Sequence, residues 1–247
     1  MTKRVWMPLP DRDFDLTEAA VPWRLLTDAG HEVVIATERG GQAPACDQRL
    51  IDGVIFGQLG AEPEPIAFYR ELEASAAFRA PVAWTELDPT QLDALVLPGG
   101  HAPGMRQYLG SESLHRAVAR FWATGKPVGA ICHGVLVLAR ARDEGGASLL
   151  ADRRTTCLPK YMEALGYGLT FWKLGRYYRT YPAYVEDEVR AALRDPARQF
   201  ERGPIGFGRG TRDDDGPTFV VEDGRYVSGR WPGDAYAFSR ALLDRLS

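Results

Sequence analysis

The residues most able to do chemistry lie in "KPVGAICHGVLVLARA", residues 126–141, where Cys132 and His133 sit side by side between an apolar run and a helical pattern. Ala130 and Gly134 flank the cysteine at two residues on either side. That small-x-nucleophile-x-small spacing suits a tight strand-to-helix elbow, where larger side chains would collide. Unsatisfied N–H groups at the start of the following helix favour a thiolate over a thiol. Spacing alone also admits a buried core cysteine, since free cysteine is among the most buried residue types. A second feature is "LPGGHAPGM", residues 97–105, at the end of the run "LDALVLP". Its paired Gly99 and Gly100, followed by His101, let backbone N–H groups approach a ligand as an oxyanion or binding site requires; an ordinary glycine-rich turn has the same composition. A third is Glu18, in the first turn of the first helical pattern, whose carboxyl would hydrogen-bond a cysteine sulfur or relay its proton, or simply complement the helix N-terminus.

The histidines narrow the choice. Only His31, His101, His115 and His133 exist, and none follows the elbow. A histidine base far downstream of Cys132 is therefore excluded; His133 is the best-placed partner and His101 the next. His115 falls on the polar side of a helix and His31 in a turn, so neither is assigned a role. Their spacing does not suggest a zinc site, which wants clustered ligands, and neither a GxxxxGK nor a GxGxxG phosphate loop is present. No metal or cofactor is expected.

These groups need a scaffold that brings strand ends together. "KRVWMPLP", "HEVVIAT", "LDALVLPGG" and "PVGAI" read as strands rich in Val, Ile and Leu. They alternate with helices at "LTEAAVPWRLLTDAG" (Thr17 as N-cap, Gly30 as stop), "PIAFYRELEASAAF", "SESLHRAVARFWATG" and "GVLVLARA". This predicts an α/β fold: a doubly wound, mostly parallel sheet sandwiched by helices, with functional groups gathered at the strands' carboxyl ends. Downstream, "RRTTCL" reads as a short strand and "TFVVEDGRYVSGR" as a hairpin around Asp223-Gly224. "GDAYAFSRALLDRL" reads as a closing helix. A single domain over 1–247 is expected, with a mostly helical, aromatic-rich cap inserted at about 160–203.

Bulk composition fits this picture. The 247 residues are 45% hydrophobic and 26% charged, with a net charge of −3, enough for one sizeable core and lacking the basic footprint of a nucleic-acid binder. The start "MTKRVWMPLP" is poor in apolar residues for a signal peptide, and no run approaches ~18 uninterrupted apolar residues. Three cysteines argue against a disulfide framework. A cytoplasmic protein with reduced thiols is expected, acting on a small molecule and not on nucleic acid or a membrane.

"ELDPTQLDALVLPGGHAPGM" followed by "KPVGAICHGVLVLA", with the tail "EDGRYVSGRWPGDA", resembles the ThiJ/PfpI superfamily, whose flavodoxin-like fold is shared with class I glutamine amidotransferase domains. The adjacent Cys-His pair and the long segment after it look most like the glyoxalase III and heat-shock-chaperone branch. The resemblance implies that Cys132 is the nucleophile, His133 its base, and Glu18 the acid contacting the sulfur. It also implies Glu163, in "TTCLPKYMEALG", as a third member orienting the histidine, and backbone N–H groups near Gly100 and His133 as the oxyanion site. The implied activity is conversion of a 2-oxoaldehyde such as methylglyoxal to a 2-hydroxy acid without glutathione, by a lyase of stress-response type, with a homodimer as the expected assembly. Two alternatives stand beside it: hydrolase or hydratase action on an amide or nitrile-like substrate from the same elbow, and a chaperone or redox sensor in which Cys132 is oxidised. Glutaminase action is disfavoured, because that relative's downstream histidine has no counterpart. The segment "YGLTFWKLGRYYRTYP" is longer and more aromatic than that branch leads one to expect. Tyr161 just before it and Trp172, Tyr177 and Tyr178 within it are read as pocket lining or packing, and Cys157 as a core residue rather than a resolving thiol.

Overall fold

The computed structural model describes residues 1–247. In chain order the strands are β1 (Arg4–Pro8), β2 (Arg12–Phe14), β3 (Glu32–Thr37), β4 (Ala45–Cys46), β5 (Val82–Ala83), β6 (Ala94–Leu97), β7 (Val128–Ile131), β8 (Val220–Asp223) and β9 (Tyr226–Gly229). The helices that cover them begin with α1 (Leu16–Asp28), α2 (Arg49–Asp52), α3 (Pro63–Ala74), α4 (Ala76–Arg79), α5 (Met105–Leu109) and α6 (Glu112–Trp122). They continue with α7 (Val135–Arg140), α8 (Lys160–Leu174), α9 (Val185–Ala192), α10 (Pro196–Gln199) and α11 (Ala235–Asp244).

Seven strands form one sheet in the order β5-β3-β1-β6-β7-β9-β8, parallel throughout except for the antiparallel edge pair β8/β9. β6 and β7 are buried at every position, as a sheet covered on both faces requires. The chain winds outward from β1 through β3 to β5, then returns to β6 and winds the other way. The topological switch point therefore falls between β1 and β6, where the loops leaving the two strands diverge and open a crevice. β7, with Cys132 directly after it, is β6's other neighbour.

Three local readings change. The N-cap of α1 is Asp15, not Thr17: Asp15 Oδ1 accepts from the N–H groups of Thr17 (2.8 Å) and Glu18 (3.1 Å). "RRTTCL" forms only an isolated bridge, Thr155 to Phe200. The aromatic segment is two helices, α8 and α9, whose N-termini clasp each other. Glu163 of α8 accepts from the Val185 N–H that opens α9 (2.9 Å), and Glu186 of α9 accepts from the Lys160 N–H that opens α8 (2.9 Å). Each carboxylate satisfies an orphan donor at the other helix's positive end.

Candidate active site

Cys132 has φ +58°, a left-handed conformation that costs a non-glycine residue free energy. The strain follows from the join: β7 ends at Ile131, a single 3₁₀ turn spans Cys132–Gly134, and α7 starts at Val135. Turning that sharply presses the elbow onto the loop leaving β6. A Cβ on Gly134 would lie 2.0 Å from the Leu97 carbonyl oxygen, and one on Gly99 would lie 2.7 Å from His133 N and 2.9 Å from Gly134 N. Both positions must be glycine for the two loops to touch. Packing thus explains the "GG" and the "CHG" together.

Asp15 and Glu18 occupy the N-cap and N3 positions of α1, the spacing of a capping box, but the box is opened. Glu18 Oε2 accepts from Gly99 N (2.8 Å) instead of reaching back to Asp15, while Asp15 N donates to Gly99 O (2.9 Å). α1 is thereby tied to the β6 loop through both polar groups of one glycine. The Gly99 N–H that the sequence offered to an oxyanion is consumed in this tie. The N–H groups of Gly100 and His101 make no hydrogen bond within the protein.

Glu18 is fully buried, and its second oxygen, Oε1, has no hydrogen-bond partner. Burial, then the charge of Asp15, push its carboxyl well above the usual range, against the opposing pull of the Gly99 N–H and the Cys132 thiol. Cys132 Sγ lies 3.5 Å from His133 Nδ1, and both residues are buried. The thiol is pushed well above its ordinary value by burial and then by the negative charge of Glu18 and Asp15, so the resting nucleophile is a thiol. Helix-dipole stabilisation of a thiolate does not prevail, because desolvation and two nearby carboxyls outweigh a six-residue helix. His133 is lowered well below its usual range, by burial first and by His101 next, and rests as a neutral imidazole.

His101 joins the pair: its ring meets His133 edge-on at 4.6 Å and Tyr178 at 5.9 Å, and burial lowers it to about 4. The ligating atoms of His101, Cys132 and His133 lie within 4.8 Å of one another, so the fold brings a distant histidine onto the adjacent Cys-His pair. A soft metal would find its ligands here.

Glu163 is placed elsewhere. Buried on α8, it accepts from Arg179 Nη1 (3.1 Å) and Val185 N and makes no hydrogen bond to His133. The helix clasp takes both of its oxygens. Cys157 is buried, its thiol directed at the Leu158 carbonyl oxygen (3.7 Å). His115 is half-buried with Nε2 at 3.0 Å from Leu109 O, not solvated as its helix position suggested.

Next to His101 opens a cavity of about 470 Å³, lined by His101, Asp15, Thr17, Tyr178 and Arg209 and by apolar side chains of α8 and the 50–61 segment; His101 is its link to the elbow, since Cys132, His133 and Glu18 do not line it. Tyr178 is fixed by donating to Asp47 Oδ2 (2.9 Å) and Tyr177 by a longer bond to Oδ1 (3.3 Å). Trp172 is exposed against Phe56, and Tyr161 packs on Phe207. Asp15 is the site residue that the sequence reading passed over. Burial raises its carboxyl to about 6, in spite of its bonds to Thr17 and Glu18 N–H and the charge of Arg209. The D-x-x-E spacing in "FDLTEAA" was the available signal.

Comparison with known proteins agrees with this architecture. The family described as "ThiJ/PfpI family-like" matches residues 9–204. A deglycase of Pyrococcus abyssi is 28% identical over 233 residues, spanning 94% of this chain and 93% of that protein. Deglycase PfpI of Pyrococcus furiosus is 26% identical over 238 residues, 96% of each. Glyoxalase III from Candida albicans superposes with a TM-score of 0.69 at 20% identity, covering 99% of this chain and 98% of that one, a likeness of fold. The family match begins just after β1 and runs across the elbow and the clasped helices, and on it the assignment rests: this chain belongs to the ThiJ/PfpI family.

Proposed function

We propose that this protein is a Cys132-dependent enzyme acting on small reactive carbonyl compounds, converting a 2-oxoaldehyde to a 2-hydroxy acid with water as the only co-reactant. The observation that carries the reading is the strained Cys132 itself, held between the neutral imidazole of His133 and the buried, half-unpartnered carboxyl of Glu18. The names of the relatives, deglycase and glyoxalase III, support the same substrate class.

In this mechanism the Cys132 thiol gives its proton to His133 as sulfur adds to the aldehyde carbon, and the proton passes on to the carbonyl oxygen, leaving a hemithioacetal. The raised thiol makes this proton transfer part of the attack rather than a preceding equilibrium. The proton on the former aldehyde carbon is then removed, its electron pair forming an enediol, and a proton is returned to the neighbouring carbon. Glu18 and His133 are the carriers. The product is a thioester of the 2-hydroxy acid, which water cleaves to release the acid and the thiol. No net oxidation occurs, and the N–H groups of Gly100 and His101 serve the developing oxyanion.

The same observation weighs against a sensor role. Sensor cysteines are exposed and of low pKa, whereas Cys132 is wholly buried with its thiol pushed up. The test is lactate formation from methylglyoxal without glutathione. Cys132→Ala is expected to lower kcat at least ~10³-fold with the fold retained by circular dichroism; equal turnover by the variant ends the reading.

A further inference from the structure

The cavity beside the elbow is large for the three-carbon compound used above. Pockets of roughly 300–1,000 Å³ hold drug-sized ligands, and this one has about 470 Å³. Its polar groups, Asp15, Thr17, His101, Thr170, Tyr178 and Arg209, come from the start of α1, the β6 loop, α8, the segment after it and the 204–219 loop. The remaining wall is largely apolar: Leu50, Val54, Leu59, Met162, Leu165 and Leu169. α8 contributes three of these, and Gly166 between them leaves open space where a side chain would otherwise project. The rim is apolar too. Leu59, Leu165, Leu169 and Phe207 are 44–53% exposed around the opening, and apolar groups concentrated at a cleft's mouth mark a binding site for apolar matter. Methylglyoxal would leave these walls against water.

We infer that this cavity selects 2-oxoaldehydes bearing an unbranched apolar chain of about five to eight carbons, with the dicarbonyl end at His101 and the chain along α8. The inference rests on the reading of Cys132 as a carbonyl-attacking nucleophile and adds the substrate's second half. A chain lying on Leu165 and Leu169, one helical turn apart, removes both rim and wall from water, and each buried methylene strengthens binding by a constant factor.

The experiment has two arms. Initial rates without glutathione are measured for methylglyoxal, 2-oxohexanal and 2-oxooctanal. kcat/KM is expected to rise about three- to fourfold per added methylene, and Leu165→Ser with Leu169→Ser to flatten that slope. In the second arm, lactate and 2-hydroxyoctanoate are titrated into Cys132→Ala by calorimetry; the longer acid is expected to bind at least tenfold tighter. Methylglyoxal turnover with a flat series and equal binding overturns the chain preference and leaves the cysteine reading intact. If no aldehyde is consumed, the cysteine reading falls and the binding ratio alone decides: tenfold sustains the apolar-chain site, near unity overturns it. A flat series with a molecular mass that halves on Leu169→Asp assigns the rim to a second copy of the chain and overturns the proposal.

Discussion

Cys132 and Glu18 are both fully buried, and the charge state of each acts on the other. The negative charge of Glu18 is the second cause of the thiol's raised pKa, after burial, so Glu18→Gln is expected to move the midpoint of iodoacetamide alkylation of Cys132 to lower pH while turnover falls. An unchanged midpoint would mean that the two groups are not coupled. Asp15 allows a prediction of opposite character, for stability. Its carboxyl rises from 3.8 in the unfolded chain to about 6 when folded. Between those values the folded chain retains a proton that the unfolded chain has released, so this group's contribution to stability falls as pH rises through that window. Asp15→Asn keeps the Oδ1 acceptor that caps α1 and removes the buried charge. Tm at pH 8 is expected to rise by several degrees, at roughly 2–4 °C per kcal/mol for a chain of this size, and the gain to vanish by pH 4. Scanning fluorimetry at both values checks it, and the same increment at both would refute the charge argument. That a site residue destabilises the fold at neutral pH is the usual cost of function.

The elbow works as an element because two loops interlock through missing side chains. Gly134→Ala would drive a methyl group into the backbone oxygen of Leu97, which no rotamer change relieves. The loops must part, at a cost of at least ~2–3 kcal/mol, and activity should fall with Tm; an alanine variant of wild-type melting temperature and rate would show that the contact does not position Cys132. At this scale the sequence was readable where chemistry and packing coincide. β1, β3, β6, β7, α1, α6, α11 and the β8/β9 hairpin follow from period and turn residues, with the hairpin turning one residue later than read, at Gly224-Arg225. β2, β4 and β5, of two or three residues, are too short to show a period, and the elbow follows from the small residues at ±2. Glu163 was misplaced for a physical reason: a buried acid in the first turn of a helix serves equally as a catalytic orienter or as a cap for a neighbouring helix, and only the position of Val185 N distinguishes the two. His101 and His133, 32 residues apart in sequence, meet because β6 and β7 are adjacent, which sequence spacing alone does not reveal.

Across the whole molecule, the C-terminal segment is fastened by a buried ion pair in "GRWPGDA". Arg230 Nε and Nη2 donate to the two oxygens of Asp234 (2.9 and 3.0 Å), and Nη1 donates to the carbonyl of Pro204 (2.8 Å). Asp234 also accepts from Phe219 N (2.9 Å), so the pair joins β9, α11 and the 204–219 loop around the cavity's far wall. Arg230→Ala strands a buried carboxylate and is expected to cost about 3–5 kcal/mol, and Arg230→Lys, lacking the planar fork, to recover little of it. Denaturant unfolding of the three proteins checks both; a lysine variant as stable as wild type would show that charge alone suffices.

The reciprocal clasp of α8 and α9 has a consequence for how variants of this protein will be read. Glu163 makes no hydrogen bond to His133; it fixes the N-terminus of α9 and holds Arg179, and it lies on the helix that supplies the cavity's apolar wall. Its removal would loosen that wall and depress activity with the elbow untouched. A survey that ranks residues by lost turnover would therefore score Glu163 beside Cys132 on the strength of the clasp alone, whatever it does in the chemistry.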